Sequence, residues 1–497
     1  MEKYDLIVIC AGPAGYAAAM RGVDFGKNVC LIEKNKLGGT GLYNGALSSK
    51  TMWELAQKIS DVNDTIVSIG KEPYEITWEQ VQKTIGEATF ERKFQYSCHI
   101  KLLQTETFNT QFTFARGSAF FLSDHEIEVT DSDGKKEIIF GENIVIATGS
   151  RPRLLPNILV DEKNILTSDG IEHITNFPKS LVVVGAGVIG CEYATIFANF
   201  GKTKLYMIDR QDRILPFEDP DVSKLISDKM EEKGVVVHHN ATLVRLEQID
   251  NEIEYELSYP NGENEIIRVE KALLSVGRKP NVENLGIENA GVKMSERGVH
   301  IGDDDTQTNI PHIYAVGDVS GKIDLVNMGE IEGRHAVERI FGKISERISY
   351  DNICTIMFLN PEVAAVGMNE QDCIKNNIPV KVVKIDYSIL ARAIAMRKPD
   401  GFFKIIVTND KEMKILGMRA VGEHASSTIQ AVGLLIKMDV GIKVLAELVH
   451  PHPSIVEGIQ ECVRMLLNKS VFKSSVFKDK LSCYSLVDGV KIPLERL

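Results

Sequence analysis

Residues 181–190 read Leu-Val-Val-Val-Gly-Ala-Gly-Val-Ile-Gly, and this stretch decides the fold. The apolar run Leu181 to Val184 suits a strand buried on both faces of a parallel sheet. Gly185, Gly187 and Gly190 follow with the spacing of a tight turn that opens a helix. A second apolar run, Leu205 to Ile208, ends at Asp209. Strand, glycine turn, helix, strand and terminal acid make a βαβ unit that suits a dinucleotide. Backbone N–H groups and the helix dipole face its pyrophosphate, and the acid accepts the ribose hydroxyls. A carboxylate repels a 2′-phosphate, so Asp209 points to NAD(H), a preference that neighbouring Arg210 weakens slightly.

The unit occurs twice. Leu6 to Ile9 is a strand, Cys10-Ala11-Gly12-Pro13-Ala14-Gly15 a turn, Tyr16 to Met20 a helix of small residues, and Val29 to Ile32 a strand ending at Glu33. The glycines recur at 187 − 12 = 175 and 190 − 15 = 175, the acids at 209 − 33 = 176. Such agreement in register predicts two bound dinucleotides. The first copy departs from the pattern at Cys10, where the leading glycine of the turn belongs; a side chain there strains or reshapes the loop.

The rest of the composition narrows the class. A chain of 497 residues exceeds one hydrophobic core and predicts several domains. With 57 basic against 69 acidic residues the net charge is −12, which disfavours nucleic acid or an anionic membrane as the main partner. The most apolar helical stretch, from Ala431 onward, is interrupted by Lys437, Asp439 and Lys443, so no transmembrane segment is expected. A strand begins almost at Met1, leaving no room for a presequence, and the expected compartment is the cytoplasm. Eight scattered cysteines without a C-x-x-C read as buried or idle thiols in a reducing environment, and no metal site is expected.

Further motifs carry a family resemblance. Ile144-Val145-Ile146-Ala147-Thr148-Gly149-Ser150 is a strand with an ATGS turn, Ser275 to Asn281 reads SVGRKPN, and Ile313 to Asp318 reads IYAVGD. Phe358 to Ala364, Ala391-Arg392-Ala393, and His450 to Glu457 follow in order. Together these resemble dihydrolipoamide dehydrogenase, within the pyridine nucleotide–disulfide oxidoreductases, over roughly residues 3 to 470. The resemblance implies an α/β chain with two Rossmann-like dinucleotide-binding domains and an α+β dimerisation domain. Its expected divisions are an FAD domain at 1–150, an NAD domain at 151–277, a central domain at 278–348, an interface domain at 349–470 and an added tail at 471–497. It implies FAD contacts from Gly12, Gly15, Glu33, Gly39, Thr40, Lys50, Gly117, Thr148, Gly149, Ser150 and Asp318. NAD contacts fall to Gly185, Gly187, Gly190, Asp209, Leu243 and Gly277. It also implies a homodimer, with the flavin of one subunit facing His452 and Glu457 of the other. A mitochondrial matrix location is open by the same resemblance.

The stretch 37–50, LGGTGLYNGALSSK, departs from the family at its redox centre. The resemblance places two relay cysteines at residues 41 and 46, which here are Gly41 and Ala46. Thiol exchange needs a sulfur to attack, so ordinary lipoamide chemistry fails there. Cys30 and Cys98 occupy unrelated elements. Lys50 fits the family lysine beneath the flavin and Glu192 the acid that pairs with it, which keeps the NAD(H)–FAD half of the reaction. His452 and Glu457 match a proton-transferring dyad that lacks a dithiol to serve, so the pair is either inherited packing or an acid–base for a new substrate; His450 reads as structural. Leu325-Val326-Asn327-Met328 and Leu359-Asn360 also differ from the usual residues near the flavin.

Three readings stand. The first is an NAD(H)-linked flavoprotein oxidoreductase reducing a non-disulfide small molecule. The second is a degenerate paralogue that binds a partner, for example a 2-oxoacid dehydrogenase complex. The third is a working dihydrolipoyl dehydrogenase with an unplaced thiol. The tail alternates lysines and apolar residues, as an edge strand or a peptide docking on a protein partner does, and contributes the single Cys483.

Overall fold

Alternation explains the first strand, Glu2–Ile9. Leu6 and Val8 face one side of the sheet with Ala18, Ala19, Ala336 and Val337, whereas Ile7 and Ile9 face the other with Ile32, Ile144 and Ile313. Burying each large apolar side chain contributes about 1.5–3 kcal/mol. Both faces are therefore covered, which is why Leu6 to Ile9 reads as an unbroken apolar run. The computed structural model describes all residues except 106–110, 303–304, 447 and 495–497. Two units emerge: Met1–Lys58, Val62–Pro178 and Lys271–Ser349 form one, and Ile59–Asp61, Lys179–Glu270 and Tyr350–Leu497 the other.

The first unit is built on a seven-stranded sheet. Its order is Phe112–Arg116, Val29–Glu33, Glu2–Ile9, Lys136–Ile146, Glu126–Thr130 and Ser118–Phe121, with Ile313–Ala315 added alongside Lys136–Ile146. The pairs that build the nucleotide site are parallel, with Ile9 opposite both Ile32 and Ile146, and Ala315 opposite Ile146. This register aligns the ends of three strands, so the turns that follow Ile9, Ile146 and Ala315 open along one edge. Helices Pro13–Asp24 and Val326–Val337 pack together on one face. A short antiparallel pair sets Arg278 opposite Pro152 and Pro280 opposite Ser150.

The second unit contains the parallel strands Ser180–Val184, Lys204–Ile208 and Val236–His238, with helix Val188–Phe200 after the first. A three-stranded antiparallel sheet, Thr242–Ile249, Glu252–Ser258 and Asn264–Val269, follows and carries Leu243. A second seven-stranded sheet has the order Thr355–Met357, Val363–Gly367, Ile415–Val421, Phe402–Thr408, Val380–Asp386, Leu481–Val487 and Val490–Pro493.

The tail thus supplies two strands. Leu481–Val487 is an interior strand, with Val383 opposite Cys483, and only Val490–Pro493 is at the edge. The expected edge strand is present, but the longer of the tail's two strands is sheet interior, with Leu481, Cys483 and Leu486 buried. No described helix is long and apolar enough to cross a membrane.

Candidate functional site

The two nucleotide turns match position by position. Cys10 N–H donates to Ile32 O at 2.8 Å, and Gly185 N–H donates to Ile208 O at 3.1 Å. Cys10 has φ 87° and Gly185 has φ 103°, so the cysteine adopts the left-handed backbone that the turn demands. The loop is therefore strained but not reshaped. Gly12 and Gly187 are both extended N-caps, and neither helix start has a side-chain cap. A Cβ at Gly12 or Gly187 meets nothing within 4 Å, which leaves an open cradle lined by first-turn N–H donors. Gly15 closes the first turn from behind, for a Cβ there falls 1.9 Å from Cys10 O.

The two terminal acids differ. Glu33 is buried and engaged: Oε2 accepts Ala11 N–H at 2.8 Å and the Cys10 thiol at 3.3 Å, and Oε1 accepts Asn35 N–H at 2.7 Å. Gly117 N–H donates to its backbone oxygen. Burial and the nearby Glu33 carboxylate push the Cys10 thiol up to about 12. Asp209 Oδ1 accepts Gln211 N–H at 3.0 Å, while Oδ2 is buried and takes no hydrogen bond among the described residues. Burial raises the Asp209 carboxyl above its ordinary range. A buried acceptor without a donor is costly, and a ribose hydroxyl is the donor this position suits.

The loop at 37–50 begins against the first turn. Gly38 N–H donates to Ala11 O at 2.9 Å, and a Cβ on Gly39 would stand 3.3 Å from Gly12 Cα. Thr40 is exposed beside them. A Cβ on Gly41 would fall 2.4 Å from Pro13 Cγ, so the proline ring fills the place of any side chain there. Ala46 starts helix Ala46–Ser68, whose fifth residue is Lys50; its Nζ donates to Ser49 Oγ at 3.3 Å. All eight cysteines are free, and Cys30, Cys191, Cys373, Cys462 and Cys483 are buried.

Three motifs distant in sequence converge at the aligned strand ends. Ser150 Oγ donates to Asp318 Oδ2 at 2.6 Å, and Arg278 Nε donates to Ser150 Oγ at 2.7 Å. Thr148 Oγ1 donates to Asn281 O at 2.6 Å, while Asn281 donates through Nδ2 to Thr148 O and through N–H to Gly149 O. Gly149 and Gly277 both lie in the left-handed region, with open space where a Cβ would be. Arg278 and Asn281 belonged to a recognised motif but not to the expected contact residues; their hydrogen bonds across 128 and 133 positions required the topology.

In the second unit Glu192 is buried and its Oε1 accepts Phe358 N–H at 3.0 Å. His452 Nδ1 meets Glu457 Oε1 at 2.8 Å, and Glu457 Oε2 accepts Ser454 N–H at 2.9 Å. Burial pushes the Glu457 carboxyl up, but the Ser454 N–H and His452 outweigh it and leave it below its ordinary value. The imidazole is thereby oriented through Nδ1 while its side chain stays 70% exposed. His450 Nδ1 lies 3.3 Å from Leu448 O.

The residues present fit two dinucleotides: open glycine cradles, uncapped helix starts and an unpartnered buried carboxylate oxygen. Residues 4–333 match the pyridine nucleotide-disulphide oxidoreductase family, and residues 353–463 match its dimerisation domain. Dihydrolipoyl dehydrogenase of Chlamydia trachomatis is 32% identical over 460 residues, covering 92% of this chain and 95% of that protein. A Bacillus subtilis dihydrolipoyl dehydrogenase is 30% identical over 474 residues, covering 94% and 99%. Among solved structures, the HOCl-induced flavoprotein disulfide reductase RclA of Escherichia coli superposes with a TM-score of 0.82 at 24% identity, covering 93% of this chain and all of that one. LpdA of Mycobacterium tuberculosis superposes with a TM-score of 0.83 at 22% identity, covering 94% and 100%. The chain therefore belongs to the pyridine nucleotide-disulphide oxidoreductases, as an NAD-linked flavoprotein oxidoreductase close to the dihydrolipoyl dehydrogenases.

Proposed function

We propose that this chain oxidises NADH through FAD and passes the electrons to a small acceptor that is not a disulfide. The observation that carries the reading is Gly41. The family relay would stand at 41 and 46, where this chain has glycine and alanine, and Pro13 already occupies the space of a side chain at 41. The dinucleotide turns meanwhile keep their donors and acids. When bound, FAD supplies a two-electron carrier between nicotinamide and acceptor.

The protein residues bind and orient. First-turn N–H groups after Gly12 and Gly187 would hold the pyrophosphates, Glu33 and Asp209 would accept ribose hydroxyls, and the Ser150–Asp318 pair would hold the sugar-like chain of the flavin. Lys50 would supply a positive charge to the flavin site, where developing negative charge would be stabilised. His452, oriented by Glu457, gives or takes a proton at its exposed Nε2. Glu192 supports Phe358 through its backbone. The matched dimerisation domain supports a homodimer, and the resemblance would then set His452 and Glu457 of one copy against the flavin of the other.

An anaerobic NADH titration of the purified flavoprotein tests this. The flavin absorbance should bleach near one equivalent with no long-wavelength band of the thiolate–flavin type. Bound flavin that ignores NADH would sink the oxidoreductase reading and favour a binding role. A thiol-dependent long-wavelength band would revive disulfide chemistry.

A further inference from the structure

Strand Phe402–Thr408 carries a lysine between Phe403 and Ile405, and all three are buried. An ammonium in such a place needs matched carboxylates. Lys404 Nζ reaches both oxygens of Asp219 at 2.9 Å, Asp221 Oδ2 at 3.0 Å, and Glu370 Oε1. The Lys404 and Asp219 side chains are 2% and 0% exposed. Burial alone would lower the Lys404 pKa, but the three carboxylates reverse that and hold it above its ordinary value. Three acids so close could hold a metal ion; here the lysine is their cation.

The C-terminal hairpin closes this cluster. Tyr484 OH donates to Glu370 Oε1 at 2.6 Å, and Lys491 Nζ meets Glu370 Oε2 at 2.9 Å and Tyr484 OH at 3.2 Å. Both stand on strands beyond residues 353–463, the part that matches the dimerisation domain.

In the other direction the cluster leads to the second nucleotide turn. Asp219 Oδ1 caps helix Pro220–Glu232 by accepting Asp221 N–H at 3.0 Å. Glu218, held by Arg419 Nε at 2.5 Å, donates its N–H to Leu215 O at 2.9 Å. Leu215 is fully buried at φ 48°, a backbone that leucine keeps only when its surroundings enforce it. Its own N–H donates to Ala186 O at 2.9 Å, inside Gly185-Ala186-Gly187.

We propose that Tyr484 and Lys491 are positioning residues for NAD. Through Glu370, Lys404 and Asp219 the hairpin holds Leu215 against Ala186, and so sets the turn that receives the pyrophosphate. The inference rests on reading that turn as the NAD site.

Calorimetric titration of NAD⁺ into the purified flavoprotein tests it, using wild type, Tyr484→Phe, Tyr484→Phe with Lys491→Met, Asp219→Asn, and Tyr484→Phe with Asp219→Asn. Tyr484→Phe keeps the ring and removes one donor, so the variant remains folded, which its melting temperature and flavin content verify. The expected result is a Kd for NAD⁺ raised about fivefold or more in the Tyr484/Lys491 pair at unchanged flavin-to-protein ratio. Tyr484→Phe and Asp219→Asn should combine to less than the product of their separate effects. An unchanged Kd in the Tyr484/Lys491 pair overturns the proposal whatever happens to the melting temperature, for the hairpin is then only a brace. If wild type binds no NAD⁺, the reading of the turn itself falls and takes the inference with it.

Discussion

Cys10 and Gly185 hold equivalent turns at φ 87° and 103°, yet only Cys10 has a side chain to accommodate. A left-handed non-glycine residue costs about 1–2 kcal/mol, and glycine loses about 0.5–1 kcal/mol through its freer unfolded chain. Cys10→Gly should therefore stabilise the protein by about 0–1.5 kcal/mol, whereas a branched residue, Cys10→Val, should destabilise it by at least about 1 kcal/mol. Urea unfolding of the two variants measures both. Asp209 is the counterpart test for the second turn. Its unpartnered buried oxygen suits a ribose hydroxyl, so Asp209→Asn should raise KM for NADH by about tenfold or more, the lower bound for one hydrogen bond to a charged group. The same change should narrow the preference for NADH over NADPH. Steady-state kinetics with both nucleotides would show it, and an unchanged ratio would remove Asp209 from ribose recognition.

At the scale of elements, the loop after Gly38 and helix Pro13–Asp24 are packed as one piece. Placing cysteines at the two expected relay positions, as Gly41→Cys with Ala46→Cys, should not yield lipoamide reduction. The new Cβ at 41 meets Pro13 Cγ at 2.4 Å, and overpacking of that kind costs about 1–3 kcal/mol. Thiol titration and a lipoamide-dependent NADH assay check it; a formed disulfide with turnover would show that the loop yields easily. The βαβ units were legible because their information is local: apolar runs, glycine spacing and a terminal acid all lie within one short window. The tail was half legible. Alternation in residues 481–493 marks strands, but nothing local says that Val380–Asp386 pairs with Leu481–Val487 and makes it interior. The partners in the Lys404 cluster were not legible, since they come from positions 219, 221, 370, 484 and 491. A lysine inside the run Gly401 to Val407 was the one available signal, because a charge in an apolar strand demands distant acids.

For the whole molecule, the same cluster sets a pH window. Burial pushes the Glu370 and Asp221 carboxyls up, but Lys404 and its neighbours outweigh it and hold both below their ordinary values of 4.5 and 3.8. Their contribution is thus complete above those values and is lost as pH falls through the lower folded values. Lys404 is raised above its ordinary 10.5, so its contribution is complete below 10.5 and is lost as pH climbs through the higher folded value. The cluster's share of the melting temperature should be flat across neutral pH and fall at both extremes, and Glu370→Gln should blunt its part of the acid limb. In sedimentation the chain should run near twice 55.2 kDa, the mass expected of a pair built on the matched dimerisation domain. The burial of the cysteines has a further consequence. Burial raises the thiols of Cys10, Cys30, Cys191, Cys373 and Cys462, away from the reactive thiolate form. Arsenicals and electrophiles attack thiolates, so they should react slowly at these five positions in the folded protein, which thiol titration before and after unfolding would measure.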